Sequence, residues 1–184
     1  MTSVIRHLPN MLTGLRLVAA PATAGLLLAG HFAAALGVFA AAGLSDVADG
    51  YLAKRYGFGT QLGRYLDPAA DKALMLAAFL ALTALGAIPV WLTGFVIARD
   101  VAIVLAVGVA KAWAVSLEVA PLPIGKACTV LQVVYAGAHL AVLAFGAEPA
   151  FFEPWAAAVI AGFTAASWFA YGRIWFRAMW NALR

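Results

Sequence analysis

The sequence contains few charged residues: twelve Lys or Arg and eight Asp or Glu among 184 positions, or 11%. A soluble domain carries about a quarter charged residues, so these charges are too few to cover a surface that faces water. The chain has a single cysteine, Cys128, which excludes an internal disulfide. Apolar residues make up 65% of the chain, which indicates that most of it lies in lipid.

The sequence consists largely of long apolar segments. A membrane-spanning helix needs about 20 apolar residues, so a chain of this length allows about six spans with short connections. We predict an all-α integral membrane protein with six transmembrane helices in a single domain, residues 1–184. The predicted spans are residues 11–30, 33–54, 67–86, 89–111, 125–146 and 154–174. Residues 2–9 are predicted as a short interfacial segment that Pro9 ends.

Apart from Arg16, Lys72 and Arg99, which lie within predicted spans, the basic residues lie at the termini or in and beside alternate connections. They are Arg6, Lys54, Arg55, Arg64, Lys111, Lys126, Arg173, Arg177 and Arg184. The positive-inside rule then places both termini in the cytoplasm, and an even number of spans agrees with this. At the ends of helices such residues predict contact with anionic membrane lipids and not with nucleic acid. The first ten residues resemble neither a signal nor a transit peptide, so we expect a bacterial inner (plasma) membrane protein.

The five aspartates all lie in or near the cytoplasmic half of the predicted bundle: Asp46, Asp49, Asp67, Asp71 and Asp100. Carboxylates inside a membrane are costly and usually mark a functional site. Asp46 and Asp49 are three residues apart and Asp67 and Asp71 are four apart, so each pair shares one helix face. Four clustered carboxylates need a counter-charge, and oxygen ligands favour hard divalent cations. We predict two ions, Mg²⁺ or Mn²⁺ with Ca²⁺ left open, that assist phosphoryl transfer.

The same aspartates also have structural interpretations. Asp67 before Pro68 could cap the start of the third span, and Lys72 could pair with Asp71. A cation transporter is a further alternative, but the chain shows no repeat between its halves. A non-catalytic membrane scaffold would not need this aspartate spacing.

Both aspartate pairs belong to a longer pattern. The pattern is Asp46-x2-Asp49-Gly50-x2-Ala53, followed by Gly63-x3-Asp67-x3-Asp71. It resembles the signature of the CDP-alcohol phosphatidyltransferases, with seven of the eight fixed positions matched and the intervals intact. The exception is Lys54, which stands where the family usually has arginine. Lysine keeps the charge at this position but loses bidentate contact with a phosphate.

The resemblance implies a six-helix membrane fold, usually dimeric, with an active site that opens toward the cytoplasm. It implies that Asp46, Asp49, Asp67 and Asp71 bind metal, and that Asp71 also acts as the general base. The residues it places at the CDP group are Gly50, Ala53, Lys54 and Gly63.

The start of the chain resembles one branch of that family. The segment Pro9-Asn10-Met11-Leu12-Thr13-x2-Arg16 is similar to the opening of phosphatidylglycerophosphate synthases and cardiolipin synthases. This similarity places Asn10 and Thr13 at the CDP group and Arg16 at a lipid phosphate. A capped and anchored first helix is the structural alternative.

Two further basic residues are candidate contacts for a phosphate of the acceptor or lipid. Lys126 lies in Gly125-Lys126-x2-Thr129-x2-Gln132, which resembles the same branch, and a lysine that reaches the lipid headgroups is the alternative. Arg99 lies about ten residues into the fourth predicted span, where an unpaired arginine would cost several kcal/mol. It either pairs with Asp100 or another aspartate, or binds a phosphate, and the two are compatible.

The segments at residues 66–72 and 97–100 are similar to the CDP-dependent, eukaryotic-type cardiolipin synthases. The resemblance therefore implies that CDP-diacylglycerol and phosphatidylglycerol react to give cardiolipin and CMP. Glycerol 3-phosphate is the alternative acceptor, as in phosphatidylglycerophosphate synthases.

Overall fold

The computed structural model describes the backbone of residues 2–56, 61–113, 122–147 and 153–182. Side chains are described for residues 14–45, 70–110, 112–113, 122–147, 153–180 and 182. This part of the chain contains six α-helices and no strand, which confirms the predicted all-α class. The helices are α1 (Thr2–Leu28), α2 (Phe32–Tyr56), α3 (Gln61–Ala84), α4 (Val90–Ala112), α5 (Pro123–Phe145) and α6 (Glu153–Ala182).

Two of the predicted boundaries are wrong, and both were placed at a proline. Helix α1 continues through Pro9, so residues 2–9 are not a separate segment. Helix α3 begins at Gln61, so Asp67 and Pro68 lie inside it and Asp67 does not cap its start. A proline removes one backbone N–H, and helix-forming residues on both sides carry these helices past the missing hydrogen bond.

Helices α1, α3 and α5 each end in a turn with a left-handed glycine. Gly30, Gly86 and Gly146 have φ angles of 80°, 73° and 66°. After Gly30, the backbone N–H of His31 donates to the carbonyl of Leu26 at 2.8 Å, and the same kind of bond follows the other two glycines. This is the Schellman arrangement, which ends a helix within one residue. The three connections that follow these helix ends contain no Lys or Arg.

The chain divides into two compact units. The first comprises Met1–Ile88 and Ala136–Pro149, and the second comprises Pro89–Tyr135 and Ala150–Arg184. Within the first unit, α1 packs against both α2 and α3, and within the second unit α4 packs against α6. Helix α5 contributes residues to each unit. The single domain over residues 1–184 stays a prediction.

Helices α4 and α6 run parallel to each other. Arg99 on α4 bonds to Ser167 on α6, and the carbonyl of Ala106 accepts a bond from the indole N–H of Trp175 at 3.1 Å. The two contacts advance in the same direction along both helices. Parallel packing is what two even-numbered spans of an alternating bundle require.

Polar side chains are buried in this fold while large apolar side chains lie outside. Arg16 is 2% exposed, whereas its neighbours Leu15 and Leu17 are 57% and 54% exposed. Arg99 is likewise buried, with Val101 half exposed. Such an exterior is unfavourable in water and suits a hydrocarbon solvent. The distribution therefore agrees with the membrane character predicted from composition.

Two helices in the described part are long and apolar enough to cross a bilayer. They are the segments Val90–Ala110 and Pro123–Phe145. Two shorter apolar stretches, Gly14–Leu28 and Phe32–Ser45, fall below the length of a full span. The six-span arrangement stays a prediction beyond the fourth and fifth helices.

Candidate active site

The four signature aspartates lie on two unbroken helices. Asp46 and Asp49 lie in α2, and Asp67 and Asp71 lie in α3. Because neither helix is interrupted, each pair shares a face, as its spacing predicted. Helix α1 is the common neighbour of both helices. The fold thus places both carboxylate pairs on helices of one unit.

Several predicted site residues lie outside the residues whose side chains the structure describes. They are Asn10, Thr13, Asp46, Asp49, Gly50, Ala53, Lys54, Gly63 and Asp67. Their roles as metal or CDP contacts stay predictions.

Arg16 of α1 forms an ion pair with Asp71 of α3. The Nη1 group of Arg16 donates to Oδ1 of Asp71, although the two residues are 55 positions apart. The arginine side chain is 2% exposed, whereas the aspartate side chain is 42% exposed. A buried cation therefore holds one oxygen of the candidate base, and part of the carboxylate stays accessible from outside. Contact of Arg16 with a lipid phosphate stays a prediction.

The accessible part of Asp71 fits a role at a divalent cation. Carboxylate oxygen is the ligand type that Mg²⁺, Mn²⁺ and Ca²⁺ prefer, and an ion can reach this carboxylate. Among the residues with described side chains, no three His, Cys, Asp or Glu form a group that could hold a metal. The other three signature aspartates fall outside that set. The donor set of the signature as a whole fits a hard divalent cation.

Arg99 is held on three sides near the middle of α4. Its Nη1 donates to Oδ1 of Asp100 at 2.7 Å, and its Nη2 donates to Oγ of Ser167 at 2.6 Å. Its guanidinium carbon lies 5.7 Å from the centre of the Tyr171 ring. The ion pair, the hydroxyl and the ring face offset part of the cost of burying this charge, and Nε has no hydrogen-bond partner among the described residues. The predicted pairing with Asp100 is present, and binding of a phosphate by Arg99 stays a prediction.

Tyr171 also contacts the start of α5. Its hydroxyl accepts a hydrogen bond from the backbone N–H of Leu122 at 3.1 Å. A Cβ atom at Gly125 would lie 2.7 Å from that hydroxyl, so only glycine fits beneath the ring. Lys126 follows immediately and is exposed. Its side chain can reach a phosphate or a lipid headgroup, and both interpretations stay open.

Sequence reasoning missed Ser167 and Tyr171. A signal for them was present, because Thr164, Ser167 and Tyr171 recur at helical spacing in an otherwise apolar segment. All three face the interior of the second unit, where Thr164 also contacts the amide nitrogen of Gln132 at 3.5 Å. A polar stripe of this kind indicates partners on neighbouring helices, here Arg99 and Gln132.

Comparison with known families places these features in context. A family model described as CDP-alcohol phosphatidyltransferase matches residues 6–174, which is most of the chain. The chain belongs to this family. CDP-alcohol phosphatidyltransferases are membrane-associated enzymes that generally use divalent metals. The aspartate signature and the membrane character predicted from the sequence therefore agree with the family match.

Individual relatives carry two kinds of name. The cardiolipin synthase (CMP-forming) of Homo sapiens is 44% identical over 101 residues, which cover 54% of this chain and 34% of that protein. The cardiolipin synthase (CMP-forming) of Streptomyces coelicolor is 36% identical over 116 residues, which cover 60% of this chain and 54% of that protein. A probable phosphatidylglycerophosphate synthase of Mycobacterium tuberculosis is 40% identical over 108 residues, which cover 54% of this chain and 50% of that protein. The chain thus spans about a third to a half of the length of these curated relatives.

Proposed function

We propose that the protein is a cardiolipin synthase, which transfers a phosphatidyl group from CDP-diacylglycerol to phosphatidylglycerol and releases CMP. Relatives with this name in a mammal and in a bacterium support the choice of reaction. The observation that carries the proposal is Asp71, an accessible carboxylate within the family signature that a buried arginine holds in place.

The proposed reaction is a single displacement at phosphorus. A hydroxyl of the phosphatidylglycerol headgroup attacks the phosphorus that carries the diacylglycerol. The bond from this phosphorus to the oxygen of CMP breaks, and CMP leaves. Asp71 accepts the proton of the attacking hydroxyl, as a general base within hydrogen-bond reach would. Arg16 fixes the orientation of that carboxylate through its ion pair.

Asp46, Asp49, Asp67 and Asp71 would together hold two divalent ions, Mg²⁺ or Mn²⁺. When bound, such ions neutralise the charge that develops on the phosphate oxygens. The residues proposed to contact the CDP group are Asn10, Thr13, Gly50, Ala53, Lys54 and Gly63. Their support is the family signature and the match of the chain to the family.

Lys126 is better placed than Arg99 to bind a phosphate of the acceptor or lipid. Lys126 is exposed at the start of α5, whereas Asp100 and Ser167 already occupy two nitrogens of Arg99. Arg99 is also only 5% exposed, so its guanidinium is less accessible to a phosphate than the ammonium group of Lys126. Arg99 therefore belongs to the proposal mainly as the residue that ties α4 to α6.

The membrane arrangement is also part of the proposal. Six spans with both termini and the active site on the cytoplasmic side of a bacterial inner membrane fit the distribution of Lys and Arg. The parallel packing of α4 and α6 supports the alternating order. A homodimer, which the family resemblance implies, completes the arrangement.

Phosphatidylglycerophosphate synthase is the second candidate function. The Mycobacterium tuberculosis relative with that name is 40% identical in the matched region, which is close to the values for the cardiolipin synthases. The chemistry at phosphorus would be the same, with glycerol 3-phosphate as the acceptor. Other CDP-alcohol phosphatidyltransferase reactions would differ only in the alcohol.

An activity assay with each acceptor in turn distinguishes these functions. Purified protein in detergent is given CDP-diacylglycerol, Mg²⁺ and either phosphatidylglycerol or glycerol 3-phosphate, and the lipids are identified by mass spectrometry. We expect cardiolipin and CMP in equal amounts with phosphatidylglycerol. Product from glycerol 3-phosphate alone would overturn the assignment as a cardiolipin synthase. Asp71→Asn serves as the inactive control for background lipid conversion.

A further inference from the structure

A groove lies between α4 and α6 on the outside of the second unit. Its volume is about 610 Å³, which is within the range of about 300–1,000 Å³ for ligand pockets. Phe95 and Trp168 form one wall, with ring centres 5.5 Å apart. Phe169 and Phe176 also line the groove and are 76% and 63% exposed. The surface is thus long, aromatic and open to the surrounding solvent.

Two arginines line the same groove. Arg173 and Arg177 are one helical turn apart on α6, and both are exposed. Among the residues with described side chains, neither arginine forms an ion pair or a hydrogen bond. No acidic side chain is among the lining residues. The groove therefore combines an apolar wall with two positive charges that have no protein counter-charge in the described part of the chain.

This groove is separate from the polar interior of the second unit. Ser167 and Tyr171 contact Arg99 on one face of α6. At 3.6 residues per turn, Phe169, Gly172 and Phe176 lie on the opposite face. An occupant of the groove would therefore lie on the face of α6 that is opposite to the contacts with Arg99.

The position of the arginines along α6 matches the depth of a lipid phosphate. From Glu153 to Arg173 the helix rises about 30 Å, which is about the thickness of the hydrocarbon core. Arg173 and Arg177 then lie at the headgroups of one leaflet, and Trp168 and Phe169 lie about one turn deeper among the acyl chains. The aromatic wall therefore lies deeper in the membrane than the two arginines, just as the acyl tails of a phospholipid lie deeper than its phosphate.

We propose that this groove binds one anionic phospholipid of the membrane. Its phosphate lies between Arg173 and Arg177, and an acyl chain lies along Phe95, Trp168 and Phe169. Charge complementarity favours this occupant, because the ammonium group of a zwitterionic lipid would oppose two arginines. A second copy of the chain on this face would bring four arginines together. The site binds lipid without reacting it, so it is distinct from the proposed transfer reaction.

Native mass spectrometry of the purified protein tests whether Arg173 and Arg177 bind the lipid phosphate. The protein is equilibrated with equal amounts of phosphatidylglycerol and phosphatidylcholine in detergent, and the retained lipids are counted. Since the proposed transfer site also binds phosphatidylglycerol, we expect wild-type protein to retain one more phosphatidylglycerol than the double variant described below, in preference to phosphatidylcholine. Each basic residue near lipid contributes about 1 kcal/mol, so the double variant Arg173→Gln and Arg177→Gln should bind phosphatidylglycerol about 30-fold more weakly. An unchanged preference in that variant would overturn the proposal.

A cavity-filling pair of variants tests the apolar part. A Cβ atom at Gly172 or at Gly162 would meet no atom within 4 Å, and both positions of α6 are exposed, so a leucine side chain starts in open space at each. Gly172 lines the groove and Gly162 does not. We expect Gly172→Leu to displace the bound lipid and Gly162→Leu to retain it. Equal retention by the two variants would contradict the proposal. A loss of dimer in Gly172→Leu with unchanged lipid retention would also overturn it, because the groove would then be an interface between two copies.

Discussion

Gly125→Ala should destabilise the protein, although the same substitution in most helices is stabilising. A Cβ atom at Gly125 would lie 2.7 Å from the hydroxyl oxygen of Tyr171 and 2.9 and 3.2 Å from two of its ring carbons. The tyrosine has little room to retreat, because its hydroxyl bonds to Leu122 and its ring lies against Arg99. Overpacking of this kind costs about 1–3 kcal/mol.

Gly137→Ala is the matched control on the same helix. Its Cβ atom would lie 3.8 Å from a ring carbon of Phe39, which is ordinary van der Waals contact. Replacing a helical glycine by alanine without a clash stabilises by about 0.5–1 kcal/mol. The two variants therefore make the same chemical change and are expected to shift stability in opposite directions.

Thermal unfolding in detergent, followed by circular dichroism, measures this difference. For a chain of this size, 1 kcal/mol corresponds to about 2–4 °C in Tm. We expect Gly125→Ala to lower Tm and Gly137→Ala to keep or raise it. Adding Tyr171→Leu to Gly125→Ala should remove the clash, so the double variant should lose less stability than the two single losses combined. A Tm for Gly125→Ala at or above that of Gly137→Ala would refute the close contact.

Three further predictions concern Asp71, its ion pair with Arg16, and the hydrogen bond from Arg99 to Ser167. Asp71→Asn should lower kcat for cardiolipin formation by about 10²–10⁴, the usual contribution of a general base, with lipid retention unchanged in native mass spectrometry. If Arg16 acts only by orienting Asp71, Arg16→Gln should lower kcat in wild-type protein and have no further effect when added to Asp71→Asn. Ser167→Ala leaves Nη2 of Arg99 without its acceptor and should cost about 1.5–3 kcal/mol in unfolding, whereas Ser45→Ala removes only a bond within α2 and should cost far less. Equal losses in the two serine variants would contradict the role given to Ser167.

The helices could be predicted from the sequence because their signal is local. Each apolar run was long enough to give a helix, and glycine marked the ends of α1, α3 and α5. The boundaries predicted at Pro9 and Pro68 are wrong, because a proline by itself indicates the start or the end of a helix. In the structure the residues on both sides of each proline continue the helix. The course of the backbone there depends on more than the proline itself.

The contact partner of a site residue could be predicted only where the position of that residue in the membrane required one. Arg99 lies near the middle of an apolar helix, so a compensating partner was required, and Asp100 was its neighbour. The pairing of Arg16 with Asp71 spans 55 positions and that of Arg99 with Ser167 spans 68. Such contacts depend on how α1 turns toward α3 and α4 toward α6. Helical periodicity defines the face of one helix and does not specify which helix it meets.

Binding of Mn²⁺ to the purified protein tests the central claim most directly, because Mn²⁺ is visible by electron paramagnetic resonance and replaces Mg²⁺ at oxygen sites. We expect stoichiometric binding in wild-type protein and its loss in Asp46→Asn and Asp67→Asn, which lie on different helices. Asp100→Asn should still bind, because Asp100 pairs with Arg99 outside the signature. Undiminished binding in both signature variants, or equal loss in Asp100→Asn, would show that α2 and α3 do not form a shared cation site.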